Sequence, residues 1–410
     1  MRLMRLKITS RHGNLSDFEI DFEEQQRPTV LVGKNGTGKS YFFEALVHIF
    51  VCLDQDVRAD FNYELKYSCS AGQVEIIQNE KQRKAFVDSK QVAITSITKP
   101  EKGTNRRKYL PKLVFAYYSG QSERLSGYFK KSEKEYRDGL LYKKDRPQRR
   151  FLFANKLYGQ FALLAFAVDT QPETQSFLHD YLNIRELESA EIILKKPSWT
   201  GLASGDSRFW NAEGVVADYL DKLSKTAILV EGGVEQKRYW FKSVAEIKRY
   251  VDSIGDLREL FRALDSIAIF ELFDKLTLTL IMTNGAEMTW DKMSEGEQQL
   301  LSVLGLLRFT EDDDSLFVMD EPDTHLNPAW KQAYTDLLIK YTKSNRNSHV
   351  IFSTHDPLVI GNLKKEQLRV FERNISGDIS AFQPLIDPMG MGVEGILTSD
   401  MFGLRSGLDN

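Results

Sequence analysis

Apolar residues in the first third of the chain fall into short runs and alternations, which are typical of β-strands. Polar, turn-forming residues separate these runs, and one longer segment carries apolar residues at helical spacing. The pattern predicts, in order, a β-hairpin from 3–8 and 18–22, a buried strand at 29–32, a helix at 40–52, an antiparallel meander within 63–96 and a strand at 112–118. The first third is therefore predicted to be mainly β-sheet, with a helix after the third strand.

From about residue 122 to 272 the apolar residues recur every three or four positions, which favours helices. The helical segments are predicted at 151–168, 174–187, 212–223 and 244–264. We interpret the region 122–272 as a helical insertion in an α/β core.

The last third alternates strands and helices, the pattern of a largely parallel sheet. The predicted elements are a strand at 276–282, a helix at 294–309, a strand at 316–319, a helix at 328–342 and a strand at 350–352. The predicted domains are thus the N-terminal part of the core (1–121), the helical insertion (122–272) and the C-terminal part of the core (273–410). No closing helix is predicted at the C-terminus, which leaves open whether the native chain continues past Asn410.

Composition narrows the class of protein. The 410 residues are 42% hydrophobic and 28% charged, as in ordinary globular proteins. The formal net charge of −3 argues against whole-surface attraction to nucleic acid, so such binding needs a local patch. The two cysteines, Cys52 and Cys69, lack metal-site spacing and favour a reducing compartment. No apolar run reaches the roughly 18 residues of a membrane span, and no signal-peptide core is present, so we expect a cytoplasmic protein.

A glycine-rich turn between the strand at 29–32 and the helix at 40–52 has the spacing G-x-x-x-x-G-K-S of a phosphate-binding loop. Its glycines let backbone N–H groups and the helix N-terminus face a phosphate anion. Lys39 is predicted to reach the β- and γ-phosphates of ATP, and Ser40 to offer its hydroxyl to Mg²⁺. The predicted nucleotide contacts are Gly33, Lys34, Asn35, Gly36, Thr37, Gly38, Lys39, Ser40 and Tyr41.

The strand at 316–319 ends in two carboxylates, Asp320 and Glu321. In an enzyme with a phosphate loop, Asp320 is expected to hold Mg²⁺ and Glu321 to polarise the attacking water as a catalytic residue. A buried strand that merely ends in surface acids would give the same local pattern. The phosphate loop in the same chain favours the catalytic interpretation.

Two further motifs follow the order found in one superfamily. Ser294 begins a helix with Glu297 at the capping-box position, which by itself indicates only a capped helix. The stretch resembles the Ser-Gly-Gly-Gln signature of ABC-type ATPases, with Glu295 in place of its first glycine. His355 follows the strand at 350–352, as the switch histidine of that superfamily does. A lone histidine after a strand is usually structural.

This order of motifs resembles the ABC-type ATPases, over about 1–121 and 276–360. The resemblance implies two head-to-tail subunits that enclose two ATP molecules, with nucleotide contacts from Ser294, Gly296 and Glu297 of the opposite subunit. It implies a catalytic role for His355 beside Glu321 and Lys39. The segment 323–326 resembles the D-loop at that interface. Gln121 is placed as the magnesium-sensing glutamine, with Gln73, Gln78 and Gln82 as rivals.

A narrower resemblance is to the SMC/RecF-like, AAA-family ATPases of bacterial antiphage defence, the Septu (PtuA-type) and retron-associated ATPases. The segments that carry it are 115–120, 294–298, 321–328 and 395–404. The resemblance implies a homodimer or higher even oligomer and a separate HNH-type effector nuclease. In retron systems it also implies a reverse transcriptase with its RNA–DNA product. The chain itself shows no HNH pattern.

The function predicted from these motifs is slow, regulatory ATP hydrolysis that senses or gates a partner effector nuclease in antiphage defence. The alternative is a RecF/SMC-type ATPase of DNA repair or chromosome maintenance, although 122–272 lacks the long heptad arms of its coiled-coil members. A non-enzymatic, nucleotide-locked scaffold is disfavoured by Glu321. An ABC transporter subunit is disfavoured by the insertion.

Basic residues concentrate at 106–108 and in the run from Lys143 to Arg150. A solvated surface is the default interpretation of such runs. The alternative is a patch on the insertion that contacts the phosphates of DNA or structured RNA.

Overall fold

The computed structural model describes residues 1–22, 28–104, 107–120, 124–142, 149–199, 205–310, 314–342 and 347–404. The chain divides into two compact units. The first contains Met1–Ser132, Arg149–Ala154 and Glu311–Asn410, and the second contains Glu133–Gln148 and Asn155–Thr310. Residues 273–310 thus belong to the same compact unit as most of the predicted insertion, 122–272. The predicted domain boundaries stay predictions.

The described residues form eighteen strands and twelve α-helices. The strands are β1 (Arg2–Ile8), β2 (Phe18–Asp21), β3 (Thr29–Val32), β4 (Tyr63–Cys69), β5 (Gly72–Gln78), β6 (Arg83–Val87), β7 (Lys90–Val92), β8 (Leu113–Tyr118), β9 (Phe151–Phe153), β10 (Ile184–Lys195), β11 (Ile228–Gly232), β12 (Gln236–Phe241), β13 (Phe273–Met282), β14 (Glu287–Thr289), β15 (Ser315–Asp320), β16 (His349–Ser353), β17 (Leu368–Arg373) and β18 (Ile379–Phe382). The helices are α1 (Lys39–Asp54), α2 (Thr95–Thr98), α3 (Arg124–Tyr142), α4 (Lys156–Val168), α5 (Pro172–Leu182), α6 (Gly214–Thr226), α7 (Val244–Ile254), α8 (Leu257–Ile269), α9 (Glu295–Thr310), α10 (Pro328–Tyr341), α11 (Pro357–Ile360) and α12 (Gly392–Thr398).

The first unit is built on a seven-stranded sheet with the order β18-β17-β3-β16-β15-β8-β9. All neighbouring strands in it are parallel except the antiparallel pair β17–β18. The strands β3, β15 and β16 are buried along their whole length, which explains their continuous apolar sequences. Because carboxyl ends of parallel strands lie at one edge, the residues that follow β3, β15 and β16 meet there.

A second, antiparallel sheet of the first unit has the order β2-β1-β4-β5-β6-β7. It contains the predicted hairpin, β1 with β2, and the predicted meander, β4 to β7. Helix α1 is buried along most of its length, and its apolar residues join the inward-facing residues of both sheets in one core. The phosphate loop therefore starts a helix that the core fixes in place.

The second unit contains an antiparallel sheet with the order β11-β12-β10-β13-β14 and helices α4 to α9. Four strands here were not predicted: β10, β11, β12 and β14. The predicted helix at 174–187 ends at Leu182, because Asn183 adopts a left-handed conformation and β10 follows. The predicted helix at 244–264 is two helices, separated at Gly255 with φ 140°.

The prediction for 151–168 was also wrong at its start, since 151–153 is strand β9 and α4 begins at Lys156. The predicted α/β class, with a mixed, largely parallel sheet, an antiparallel meander and added helices, is confirmed. None of the helices that the structure describes is long and apolar enough to cross a membrane.

Candidate nucleotide site

The glycine-rich turn of the first unit forms a compact loop between β3 and α1. Gly33, Gly36 and Gly38 have φ values of 134°, 78° and 93°, a region that favours glycine. At Gly33 a side chain is also excluded by space, because a Cβ atom would lie 2.2 Å from the carbonyl oxygen of Phe371. The loop conformation thus depends on the predicted glycine positions.

The apex of this loop is held from outside. Arg373 Nη2 donates to the carbonyl oxygen of Gly36 at 2.7 Å, and Asn14 Nδ2 donates to the same oxygen at 3.3 Å. Inside the loop, the hydroxyl of Thr37 donates to the carbonyl oxygen of Lys34 at 2.8 Å. These contacts fix the loop backbone independently of the acidic strand end.

Lys39 is buried at the centre of the loop. Its ammonium group donates to the carbonyl oxygens of Gly33 at 2.7 Å and Lys34 at 3.2 Å. Burial lowers the pKa of Lys39 to about 8, although the negative charges of Asp320 and Glu321 act in the opposite direction. At neutral pH the group therefore still carries its proton and offers a positive charge to a phosphate.

Asp320 and Ser40 lie side by side at the carboxyl edge of the parallel sheet. Ser40 Oγ donates to Asp320 Oδ2 at 2.5 Å, and Ser353 Oγ donates to Asp320 Oδ1. Burial raises the pKa of the Asp320 carboxyl, while the two hydroxyl bonds oppose that shift. A carboxylate and a hydroxyl in contact are the hard oxygen donors that Mg²⁺ prefers, so the residues present fit this ion.

Glu321 follows Asp320 and points its carboxylate at His355. Glu321 Oε1 lies 2.9 Å from His355 Nε2. This contact holds the pKa of the Glu321 carboxyl below its usual value, and burial opposes the shift. The backbone of Glu321 is left-handed, with φ 50°, and its N–H donates to Ser353 Oγ at 3.0 Å. Glu321 is thus an ionised carboxylate with a fixed backbone.

A buried acid supports the turn after Glu321. Asp323 accepts a hydrogen bond from the hydroxyl of Thr354 at 2.7 Å, and burial raises the pKa of Asp323 to about 6. Thr354 precedes His355, so the segment after β15 and the segment after β16 are joined beside the carboxylates.

A cavity of about 430 Å³ lies between the loop and the acidic strand end. It is lined by Asn14, Asn35, Gly36, Thr37, Gly38, Lys39, Ser40, Tyr41, Glu44, Tyr118, Leu125, Asp320, Glu321 and His355. The structure therefore brings together the predicted phosphate loop, the acidic strand end and the predicted switch histidine.

Four of the lining residues were not predicted as site residues: Asn14, Glu44, Tyr118 and Leu125. Tyr118 could have been found, because it ends β8 at the same sheet edge as Asp320. Asn14 lies in the turn after β1, and no motif marks it. The predicted Gln121 lies outside the described residues, and its rivals Gln73, Gln78 and Gln82 do not line the cavity.

The predicted signature belongs to the second unit, at the start of α9. Ser294 N and Ser294 Oγ both donate to Glu297 Oε2, at 2.7 Å and 2.8 Å. Glu297 N in turn approaches Ser294 Oγ at 3.3 Å, which completes a reciprocal cap. Ser294 is exposed and Gly296 is buried. Their predicted contact with nucleotide stays a prediction.

The predicted basic stretch is described only at its end, since 143–148 lie outside the described residues. Arg150 Nη1 forms an ion pair with Asp54 Oδ1 at 3.1 Å, and its side chain is mostly buried. Arg107 pairs with the same oxygen at 3.1 Å. Arg150 therefore supports the end of α1 in the first unit.

Two family models match parts of this chain. One, described as "AAA domain, putative AbiEii toxin, Type IV TA system", matches residues 201–361. The other, described as "AAA domain", matches residues 1–99. The match over 1–99 includes the phosphate loop. The match over 201–361 includes the signature and the acidic strand end.

Two curated relatives are similar in sequence. The Septu protein PtuA of Bacillus mycoides (strain KBAB4) is 22% identical over 237 residues, which is 55% of this chain and 32% of the relative. The "Retron Vc95 probable ATPase" of Vibrio cholerae serotype O1 biovar El Tor is 25% identical over 121 residues, 27% of this chain and 23% of the relative. The chain thus spans about a third or less of each relative's length.

A similar solved structure is the SMC head domain from Thermotoga maritima, with 12% sequence identity and a TM-score of 0.40. The superposition covers 93% of this chain and 99% of that one. The family and relative matches confirm the resemblance to ABC-type ATPases of antiphage defence.

Proposed function

We propose that this chain, a relative of the AAA-type ATPases named for Septu and retron systems, binds and slowly hydrolyses ATP to gate a partner effector nuclease in antiphage defence. The observation that carries the proposal is the convergence of Lys39, Asp320 and Glu321 on one cavity of the first unit. A phosphate loop, a pair of hard oxygen donors and an ionised carboxylate are the parts that phosphoryl transfer to water requires.

The loop supplies binding. Gly36, Thr37 and Gly38 line the cavity together with the first residues of α1. Backbone N–H groups of such a loop and of a helix N-terminus favour an anion. Lys39 adds a positive charge, which is retained at pH 7 because its pKa is about 8. Its present acceptors are two loop carbonyl oxygens, so the ammonium group can exchange them for phosphate oxygens with little movement.

Ser40 and Asp320 are the residues that would hold Mg²⁺. Bound there, the ion would neutralise negative charge on the phosphates as the terminal bond breaks. Asp320 keeps its two oxygens in separate hydrogen bonds, with Ser40 and Ser353, so its orientation is set in advance.

Glu321 supplies the base. Its carboxylate is ionised at neutral pH, since the contact with His355 lowers its pKa. It can accept a proton from a water molecule as that water attacks the terminal phosphorus, and ADP leaves with the electrons of the broken P–O bond. His355 holds the carboxylate in position through the 2.9 Å contact.

The regulatory part of the proposal rests on the second unit and on the relatives. The exposed Ser294 at the start of α9 would contact the nucleotide of an opposite subunit, which would give a homodimer or a higher even oligomer. The names Septu and retron support an effector partner, which we propose to be an HNH-type nuclease. A reverse transcriptase with its RNA–DNA product is a further proposed partner.

Mg²⁺-dependent phosphate release from ATP tests the activity. We expect slow turnover by the wild-type protein and a loss of at least about 100-fold in Lys39→Ala, because a charged phosphate contact is removed. Lys340→Ala, on α10, is the matched control and should behave as wild type. Equal rates for wild type and Lys39→Ala would contradict the proposed ATPase.

A further inference from the structure

We infer that Ser353 is a positioning residue, whose hydroxyl joins the metal-binding carboxylate of Asp320 to the backbone of the general base Glu321. The inference rests on the proposed ATPase function and adds a residue to which none of the predicted motifs assigns a role. Its basis is a pair of hydrogen bonds made by one buried oxygen atom.

Ser353 Oγ takes part in two bonds at the same time. It donates its proton to Asp320 Oδ1 and accepts the N–H of Glu321 at 3.0 Å. A hydroxyl has one proton and two lone pairs, so both bonds are compatible. Ser353 is fully buried, so water cannot replace either bond without a rearrangement.

The strand register explains why this position reaches both residues. In the parallel pair β15–β16, Asp320 lies directly opposite Ser353, and both are the last residues of their strands. The next backbone N–H along the chain, directly after β15, is that of Glu321. A small hydroxyl side chain at the end of β16 can therefore meet the side chain of one residue and the backbone of the next.

The same strand end also carries His355, two residues further along. Glu321 is consequently fixed at two points, through its N–H by Ser353 and through its carboxylate by His355. The backbone of Glu321 needs such support, because a φ of 50° is uncommon for a residue with a side chain. Thr324 adds a third contact, since its hydroxyl donates to the Glu321 carbonyl oxygen at 2.8 Å.

For Asp320, the consequence is a fixed carboxylate plane. Oδ1 is held by Ser353, which leaves Oδ2 directed at Ser40, another predicted metal ligand. Without the Ser353 hydroxyl, the carboxylate can rotate and the half-buried N–H of Glu321 loses its acceptor. Loss of a residue that orients a metal ligand typically costs about 10–100-fold in metal affinity or activity.

The phosphate loop is held by other contacts, so its affinity for nucleotide should change little. Lys39, Thr37 and Arg373 fix the loop without involving Ser353. The expected signature of a positioning role is therefore a fall in turnover and in metal affinity, with a nearly unchanged KM for ATP.

The same two strands provide a matched control. At the opposite end of the pair, Ser348 Oγ accepts the N–H of Ser315 at 3.3 Å, and both residues are buried. The Ser348 hydroxyl thus accepts a backbone N–H, as the Ser353 hydroxyl does. Ser348 lies at the other end of both strands from Asp320 and Glu321. Ser348→Ala reports what losing a buried serine hydroxyl between β15 and β16 does to the protein in general.

The experiment compares Ser353→Ala, Ser353→Thr and Ser348→Ala in the full chain. Turnover is measured over ranges of ATP and Mg²⁺, Mn²⁺ binding with ADP is followed by electron paramagnetic resonance, and the Tm is recorded without nucleotide. We expect Ser353→Ala to lose about 10–100-fold in kcat and in Mn²⁺ affinity, with KM for ATP within about threefold. Ser353→Thr keeps a hydroxyl and should recover most of both, and Ser348→Ala should lower Tm without either loss.

Wild-type kcat and Mn²⁺ affinity in Ser353→Ala would overturn the inference, as would equal losses in Ser348→Ala. If Ser353→Ala does not fold, Ser353→Cys replaces it, because a thiol keeps the shape with a weaker donor and should give an intermediate loss. An inactive wild-type protein that also binds no nucleotide would contradict the proposed function instead, so the two failures are distinguishable.

Discussion

Ser40 Oγ donates a hydrogen bond to Asp320 Oδ2 at 2.5 Å, although 280 residues separate the two along the chain. Ser40 lies in the first turn of α1, after β3, and Asp320 ends β15. In the sheet, only β16 lies between β3 and β15. The parallel arrangement therefore brings the phosphate loop into contact with the acidic strand end. The sequence motifs predict that the two act together, but they do not predict this contact.

A close helix contact in the second unit gives a stability prediction. A Cβ atom at Gly305 of α9 would lie 2.0 Å from Cβ of Ala162 on α4. Gly305→Ala should therefore force the helices apart and destabilise the protein by about 1–3 kcal/mol. Thermal or denaturant unfolding measures this change.

The control is Gly127 of α3, whose Cβ would meet no atom within 4 Å. Gly127→Ala should stabilise the protein by about 0.5–1 kcal/mol, since alanine favours a helix over glycine. A Gly305→Ala protein that is as stable as Gly127→Ala would show that α4 and α9 do not pack this closely.

His349 predicts a loss of stability in acid. Its Nδ1 accepts the N–H of Leu3 at 3.1 Å, so the neutral ring carries its proton on Nε2, 2.9 Å from the hydroxyl of Thr29. Burial lowers the pKa of His349 to about 3, and nearby positive charges of Arg2, the N-terminal amine and Arg369 add to the effect. Below the ordinary pKa of about 6.5, His349 binds a proton in the unfolded chain but stays neutral in the folded chain. The free energy of unfolding therefore decreases as the pH is lowered.

The expected loss from this one group is at most about 1.4 kcal/mol per pH unit between pH 6.5 and 3. The free energy of unfolding is measured against pH for wild type and His349→Gln. The variant should start less stable at pH 7 but show a shallower decline in acid. Parallel pH curves would rule out His349 as a source of the acid sensitivity.

The signature predicts complementation between subunits. In a dimer of Lys39→Ala with Ser294→Arg, one site combines an intact loop with an intact signature, so a mixture should hydrolyse ATP faster than either variant alone. Pairing Lys39→Ala with the double variant leaves no complete site and is the control. No gain in confirmed heterodimers would show that Ser294 does not act across an interface.

The basic stretch predicts salt-dependent binding of nucleic acid, proposed from the sequence alone. Because Arg150 is engaged by Asp54, the variant is limited to Lys143→Gln, Lys144→Gln and Arg146→Gln. If these residues contact phosphates, affinity for labelled DNA or RNA should weaken, and the log–log salt slope should fall by about 0.7–0.9 per contact. Equal affinities and slopes for wild type and variant would return the run to a solvated surface.

Much of the first unit follows from local pattern, and much of the second does not. The buried strands β3, β15 and β16 are continuous apolar runs, and glycine spacing marks the loop. Strand β9 is only three residues long and ends shortly before helix α4. Its apolar sequence therefore merges with the helical pattern. Strand β11 is exposed along its whole length, so it lacks the alternation of buried and exposed residues by which a strand is predicted from sequence.

Within the site, Asp320, Glu321 and His355 could be predicted because the order of the motifs along the chain marks them. The role of Ser353 depends on which residue of β16 stands opposite Asp320, and this register is a tertiary property. Asn14 is similar, since its contact with Gly36 depends on how the β1–β2 turn lies against the loop.

The central claim is that the cavity hydrolyses ATP with Glu321 as the base, and nucleotide retention by Glu321→Gln tests it most directly. The proteins are incubated with ATP and Mg²⁺, desalted, and the bound nucleotide is identified. Glu321→Gln should retain ATP with turnover reduced by at least about 100-fold, because binding persists while the carboxylate that accepts the proton is gone. Asp336→Asn, an exposed acid on α10, should behave as wild type. Turnover at the wild-type rate in Glu321→Gln, with no ATP retained, would contradict the account.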